Sequence, residues 1–125
     1  MQTILCMNAK GGCGKTTIAT NLATWFADDG QQVAIVDLDP QRSSVDWLEA
    51  RNDYDGVPTI TAVNAVAGDA RAPRGTDIAI HDAPAGTFGH EITPLLRRAD
   101  ALLVVGSSLM VYSGLRFPRR PWPLR

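Results

Sequence analysis

The chain alternates short apolar runs with segments whose apolar residues recur every three or four positions. Residues 2–8, QTILCMN, and 32–38, QVAIVDL, are such runs; the second, nearly continuous, has the pattern of a parallel strand covered on both faces. Between them, Ile18, Leu22, Trp25 and Phe26 recur at helical spacing among alanines, and Gly30 follows as a stop. Residues 44–51 carry Val45, Trp47 and Leu48 and predict a short helix. VPTITAV at 57–63, DIAIHD at 77–82 and ALLVVG at 101–106 predict three further strands, the first with Pro58 near its start. Thr93 and Pro94 suit an N-cap and first helical position, opening a helix through Arg98. Strands alternating with helices predict an α/β fold: a mostly parallel twisted sheet with helices on both faces. No repeat or linker divides it, so residues 1–114 are expected to form one domain. The last stretch breaks the pattern. RFPRRPWPLR, 116–125, holds three prolines and four arginines, which suit neither helix nor central strand, so a disordered tail is expected over 115–125.

Composition narrows the classes without naming one. The chain is 45% hydrophobic and 20% charged, with a formal net charge of −1, which excludes a disordered chain. No apolar run approaches the roughly 20 residues that span a bilayer, and the first residues lack a signal-peptide pattern, so a cytoplasmic location is the expectation. Cys6 and Cys13 are too few for a disulfide framework and match no zinc spacing. The bases are unevenly placed. Residues 57–125 hold five acids and eight arginines, a solvated surface or a nucleic-acid-facing patch. The only two lysines, Lys10 and Lys15, both lie in NAKGGCGKTT, 8–17.

Strand, glycine-rich loop, Gly-Lys-Thr and helix make the setting of a phosphate-binding P-loop. Its backbone N–H groups, at Gly11, Gly12, Cys13 and Gly14, would point at phosphate oxygens, with the start of the helix adding its positive dipole end. Lys15 would reach the β- and γ-phosphates, Thr16 would offer its hydroxyl to Mg²⁺, and Thr17 extends the nucleotide-binding set. The general pattern asks for glycine at position 9, where this chain has Ala9. Two acidic strand ends follow. VDLDPQRSS, 36–44, puts Asp37 and Asp39 at the C-terminal edge of the second strand, where open parallel sheets bind ligands, with the two able to share a side. DIAIHDAPAG, 77–86, ends its strand at Asp82, where a carboxylate would hold the Mg²⁺ water shell beside Thr16. His81, adjacent on the strand, should face the other way and serve packing; His90 reads as a solvated residue. Gly86 and Gly89 would allow the 83–89 loop to move.

NAKGGCGKTT resembles the deviant Walker A box, KGGxGKTT, of the ParA/MinD superfamily of ATPases. DPQRSSVDWL and RRADALLVVGSSLMVYSGL resemble the partition branch, nearest the small ParA-type proteins, although Arg42 stands where glycine is usual. The resemblance implies a P-loop NTPase fold, incomplete here on its C-terminal side, and an Mg²⁺-dependent ATPase that forms a homodimer on ATP. It implies that Lys10 contacts the nucleotide bound by the partner subunit, that Asp39 positions the attacking water, and that Asp37 helps hold the magnesium shell. It also implies a role in plasmid or chromosome partition, with a centromere-binding ParB-type protein and nonspecific DNA as partners and no membrane. Two alternatives stay open: a non-hydrolysing nucleotide-binding module, and a cargo- or septum-positioning ATPase of the same superfamily.

Overall fold

The computed structural model describes residues 1–7, 14–65, 71–84 and 92–105. Among the described residues five strands form one sheet in the order β3-β2-β4-β1-β5. These are β1 (Gln2–Met7), β2 (Val33–Asp37), β3 (Ile60–Asn64), β4 (Ile78–Asp82) and β5 (Ala101–Val104), and every pairing is parallel. Helices α1 (Lys15–Asp28), α2 (Ser43–Arg51) and α3 (Thr93–Arg98) connect them. The fold is the α/β class expected from the alternation of apolar runs.

The two sheet faces follow from the two-residue alternation of each strand. Cys6, Val33, Ile35, Ile60, Ile78 and Ile80 face α1 and α2 in one buried cluster with Ala19, Ala23, Ala27 and Leu48. Three alanines four residues apart make one side of α1 thin, so the helix lies close on the sheet. On the other face, Leu5 and Met7 pack with Ile92, Ala99, Leu95 and Leu96 around α3. Burying one such aliphatic side chain is worth about 1.5–3 kcal/mol, so each face anchors its helices.

Several element boundaries differ from the pattern. The third strand opens at Ile60 instead of residue 57, because Pro58 cannot donate to a ladder and Val57 is exposed. Thr93 is the first residue of α3 and Ile92 its cap, one position earlier than the pattern placed the cap. The second strand stops at Asp37, which leaves Asp39 in the following loop, where strand alternation no longer sets its direction. Gly30 does close α1, in the left-handed region at φ 84°. Among the described residues no helix is long and apolar enough to cross a membrane. The Pro/Arg-rich segment 115–125 lies outside the described residues.

Candidate functional site

Register brings the acidic strand ends together. Asp82 is the pairing partner of Cys6 on β1 and of Asp37 on β2. Paired residues of parallel strands project to the same face, so both carboxylates point to the side of α1 and α2, where both helices begin. Gly14 precedes α1 at φ 84°, a conformation glycine adopts without steric cost. The turn it makes brings Lys15 and Thr16 over the end of β4.

Asp82 is the hub. Its side chain is 1% exposed, and it pairs with the ammonium of Lys15, itself 7% exposed. Lys15 Nζ donates to Oδ1. Oδ2 accepts from Thr16 Oγ1 at 2.9 Å and from the Ser44 hydroxyl. One buried carboxylate thus ties the first turn of α1 to the first turn of α2.

Asp37 holds the other end of this arrangement. Its Oδ2 accepts the backbone N–H of Ser44 at 3.1 Å and of Val45 at 3.2 Å, satisfying the open first turn of α2. Its Oδ1 accepts the N–H of Asp39 at 3.0 Å. Burial raises the Asp37 pKa above the ordinary carboxylate value; the N–H of Asp39 opposes the shift and the nearby Asp82 charge adds to it. Asp39 is half-buried in the loop, and its Oδ1 accepts the N–H of Gln41 at 3.0 Å. Arg42 caps α2 at φ 57°, the left-handed conformation that suits glycine. Beneath Asp82, burial and then its negative charge push the Cys6 thiol up to about 12, against the opposing charge of Lys15.

A profile of the CobQ/CobB/MinD/ParA nucleotide binding domain matches residues 4–110. The chain belongs to this family. The chromosome-partitioning ATPase Soj of Thermus thermophilus is 47% identical over 51 residues, 41% of this chain and 20% of Soj. Two solved structures share the fold. The pNOB8 ParA bound to nonspecific DNA superposes with a TM-score of 0.65 at 19% identity, covering 82% of this chain and 53% of that one. An Archaeoglobus fulgidus nucleotide-binding protein in complex with ADP gives 0.66 at 20% identity, covering 92% and 58%. The chain therefore spans well under two thirds of the length of these relatives.

In this ParA/MinD-family domain the structure brings buried Lys15, Asp37 and Asp82 together with half-buried Thr16 and sets Asp39 at their edge. Thr17 is exposed on α1, and its carbonyl accepts from Thr20 and Asn21. Lys10, Gly11, Gly12 and Cys13 lie outside the described residues, as do Gly86, Gly89 and His90. His81 is buried on the opposite face from Asp82, as the alternation requires. Burial and the Arg98 charge lower its pKa. It borders a cavity of about 460 Å³ with Thr3, Arg97, Arg98 and Asp100, across the sheet from the carboxylate cluster. Ser44 is the participant that sequence reasoning missed. A serine at a helix start is commonplace, and only the β2–β4 pairing reveals that its hydroxyl reaches Asp82.

Proposed function

We propose that this domain is an Mg²⁺-dependent ATPase of ParA type, an ATP-driven dimer switch for DNA segregation. The observation that carries the reading is the convergence of Lys15, Thr16 and Ser44 on the buried carboxylate of Asp82. Support comes from the family match and from the relatives, one a chromosome-partitioning ATPase and one a ParA bound to nonspecific DNA.

The donor set fits magnesium. Thr16 and Asp82 offer hard oxygens side by side, while the Asp37 carboxylate is taken up by three backbone N–H groups. Among the described residues no group of three or more His, Cys, Asp or Glu forms a cage. Magnesium is typically held by one or two carboxylates, with phosphate oxygens and water completing the octahedron. The ion would supply neutralisation of the charge that develops on the phosphates.

The residues do the rest. Lys15 leaves Asp82 Oδ1 and turns its ammonium to the β- and γ-phosphates, exchanging one anion for another. Thr16 keeps its position beside Asp82 and presents its oxygen to the metal side. Asp39, in the loop between β2 and α2, orients the attacking water. Lys10 of the partner subunit adds positive charge at the nucleotide, completing a dimer around two triphosphates. Catalysis of this kind rests on positioning and electrostatics. In the cytoplasm the ATP-bound dimer would hold nonspecific DNA through its arginines, and a ParB-type protein would trigger hydrolysis and release.

The test is phosphate release with MgATP by the wild-type chain, Lys15→Ala and Asp39→Ala. A wild-type rate above both variants supports the ATPase. Equal background rates would reduce the function to a non-hydrolysing nucleotide-binding module. DNA affinity that rises with ATP and falls steeply with salt supports the partition role; nucleotide-independent binding argues against it.

A further inference from the structure

Ser44 has been given no step of its own so far, yet among the described residues it is the one bonded to both acidic strand ends. Its side chain is fully buried. Its backbone N–H donates to Asp37 Oδ2 at 3.1 Å, and its hydroxyl donates to Asp82 Oδ2. It is the second residue of α2, directly after the loop that carries Asp39.

The two oxygens of Asp82 are occupied differently. Oδ1 holds the Lys15 ammonium, which sits on a flexible four-carbon stem. Oδ2 holds two short hydroxyl side chains, from Thr16 and Ser44. A move of Lys15 to a phosphate would free Oδ1 and leave Oδ2 fixed. Ser44 therefore locks the direction in which the freed oxygen points. It also fastens α2, and with it the Asp39 loop, to the same carboxylate.

We infer that Ser44 is a positioning residue: its hydroxyl holds the Asp82 carboxylate in register for Mg²⁺ and couples that carboxylate to the Asp39 loop through α2. The inference rests on the Mg²⁺-dependent nucleotide reading above. A ligating or water-orienting carboxylate is itself held by hydrogen bonds, and loss of such a support costs about 10–100-fold in metal affinity or activity.

The experiment measures binding of a fluorescent ADP analogue across a Mg²⁺ titration, together with steady-state hydrolysis of MgATP. It compares wild type with Ser44→Ala, Ser44→Cys and Ser43→Ala. Alanine removes only the hydroxyl, cysteine keeps the volume with a weak donor, and exposed Ser43 controls for a general effect at the helix start. For both Ser44 variants we expect nucleotide affinity in EDTA within about twofold of wild type and half-saturating Mg²⁺ raised by about tenfold or more. We also expect kcat to fall with KM little changed, and Ser43→Ala to match wild type. Mg²⁺ titrations that coincide for wild type, Ser44→Ala and Ser44→Cys would overturn the inference and leave the ATPase reading standing. So would an equal shift in Ser43→Ala. A wild-type chain with no Mg²⁺-dependent nucleotide binding would overturn both.

Discussion

Replacing Asp82 by asparagine in the ligand-free protein is expected to destabilise it more than removing both members of its ion pair. Asparagine keeps the shape and one acceptor oxygen but removes the charge that faces Lys15. The Lys15 side chain is 7% exposed, so its ammonium would stay largely out of water without a counter-charge. Breaking a buried pair from one side costs about 3–5 kcal/mol, because it strands the remaining ion. Two effects reduce that figure. The substitution relieves the repulsion that Asp82 exerts on Asp37, and the lysine stem can swing its head toward solvent. A loss of about 2–4 kcal/mol is therefore expected for Asp82→Asn. Lys15→Met should cost less, since Thr16, Ser44 and the start of α1 still support the carboxylate. In Lys15→Met/Asp82→Asn no buried charge is stranded, so the double variant should recover part of the single loss, with a coupling of about 1–3 kcal/mol. The assay is urea unfolding followed by far-ultraviolet circular dichroism, with EDTA and no nucleotide. A coupling below about 0.5 kcal/mol, or Asp82→Asn as stable as wild type, would refute the pairing of these two residues.

Other outcomes follow from neighbouring groups. The folded-state pKa of Asp37 is raised, so its contribution to stability is present below the unfolded value and is lost as pH rises through the folded value. Asp37→Asn should flatten that slope, read from urea midpoints between pH 3.5 and 7, although it also loses bonds to the first turn of α2. The Cys6 thiol, at about 12, stays protonated in the fold; in Cys13→Ser the remaining thiol should resist a disulfide reagent at pH 8 until denaturant is added. Fast native labelling of that variant would contradict the burial. Arg42→Gly should stabilise the chain by up to about 1 kcal/mol, because φ 57° strains a residue with a Cβ. The ion pairs it removes, to Asp46 at 3.8 Å and Glu49 at 3.4 Å, are exposed and offset little of that gain.

Much of this was legible in the chain. The apolar runs located every strand, and the three- and four-residue spacing in α1 located the helix that carries Lys15. The usual glycine at the Arg42 position is explained by its left-handed backbone, a physical need that a motif comparison registers only as a departure. Strand order was not legible, since apolar runs say that strands exist and not which of them pair. Without that order the meeting of Asp37, Asp82 and Ser44 is invisible. The Lys15–Asp82 pair was missed for a related reason: motif reasoning places the lysine among phosphates, whereas the strand order sets its ammonium beside a buried carboxylate.

The strand order also sets a timetable for synthesis. Of the described strands β1 leaves the ribosome before the others, yet both its neighbours, β4 and β5, follow only after β2 and β3. At elongation rates of about 5–20 residues per second its flank stays unpaired for on the order of 5–15 s while residues up to Asp82 emerge. Lys15 is therefore translated well before Asp82, the carboxylate it pairs with. A nascent chain arrested before Asp82 would be expected to present Ile4, Leu5, Cys6 and Met7 to chaperones, with nucleotide recognition arising only once the fourth strand slots in.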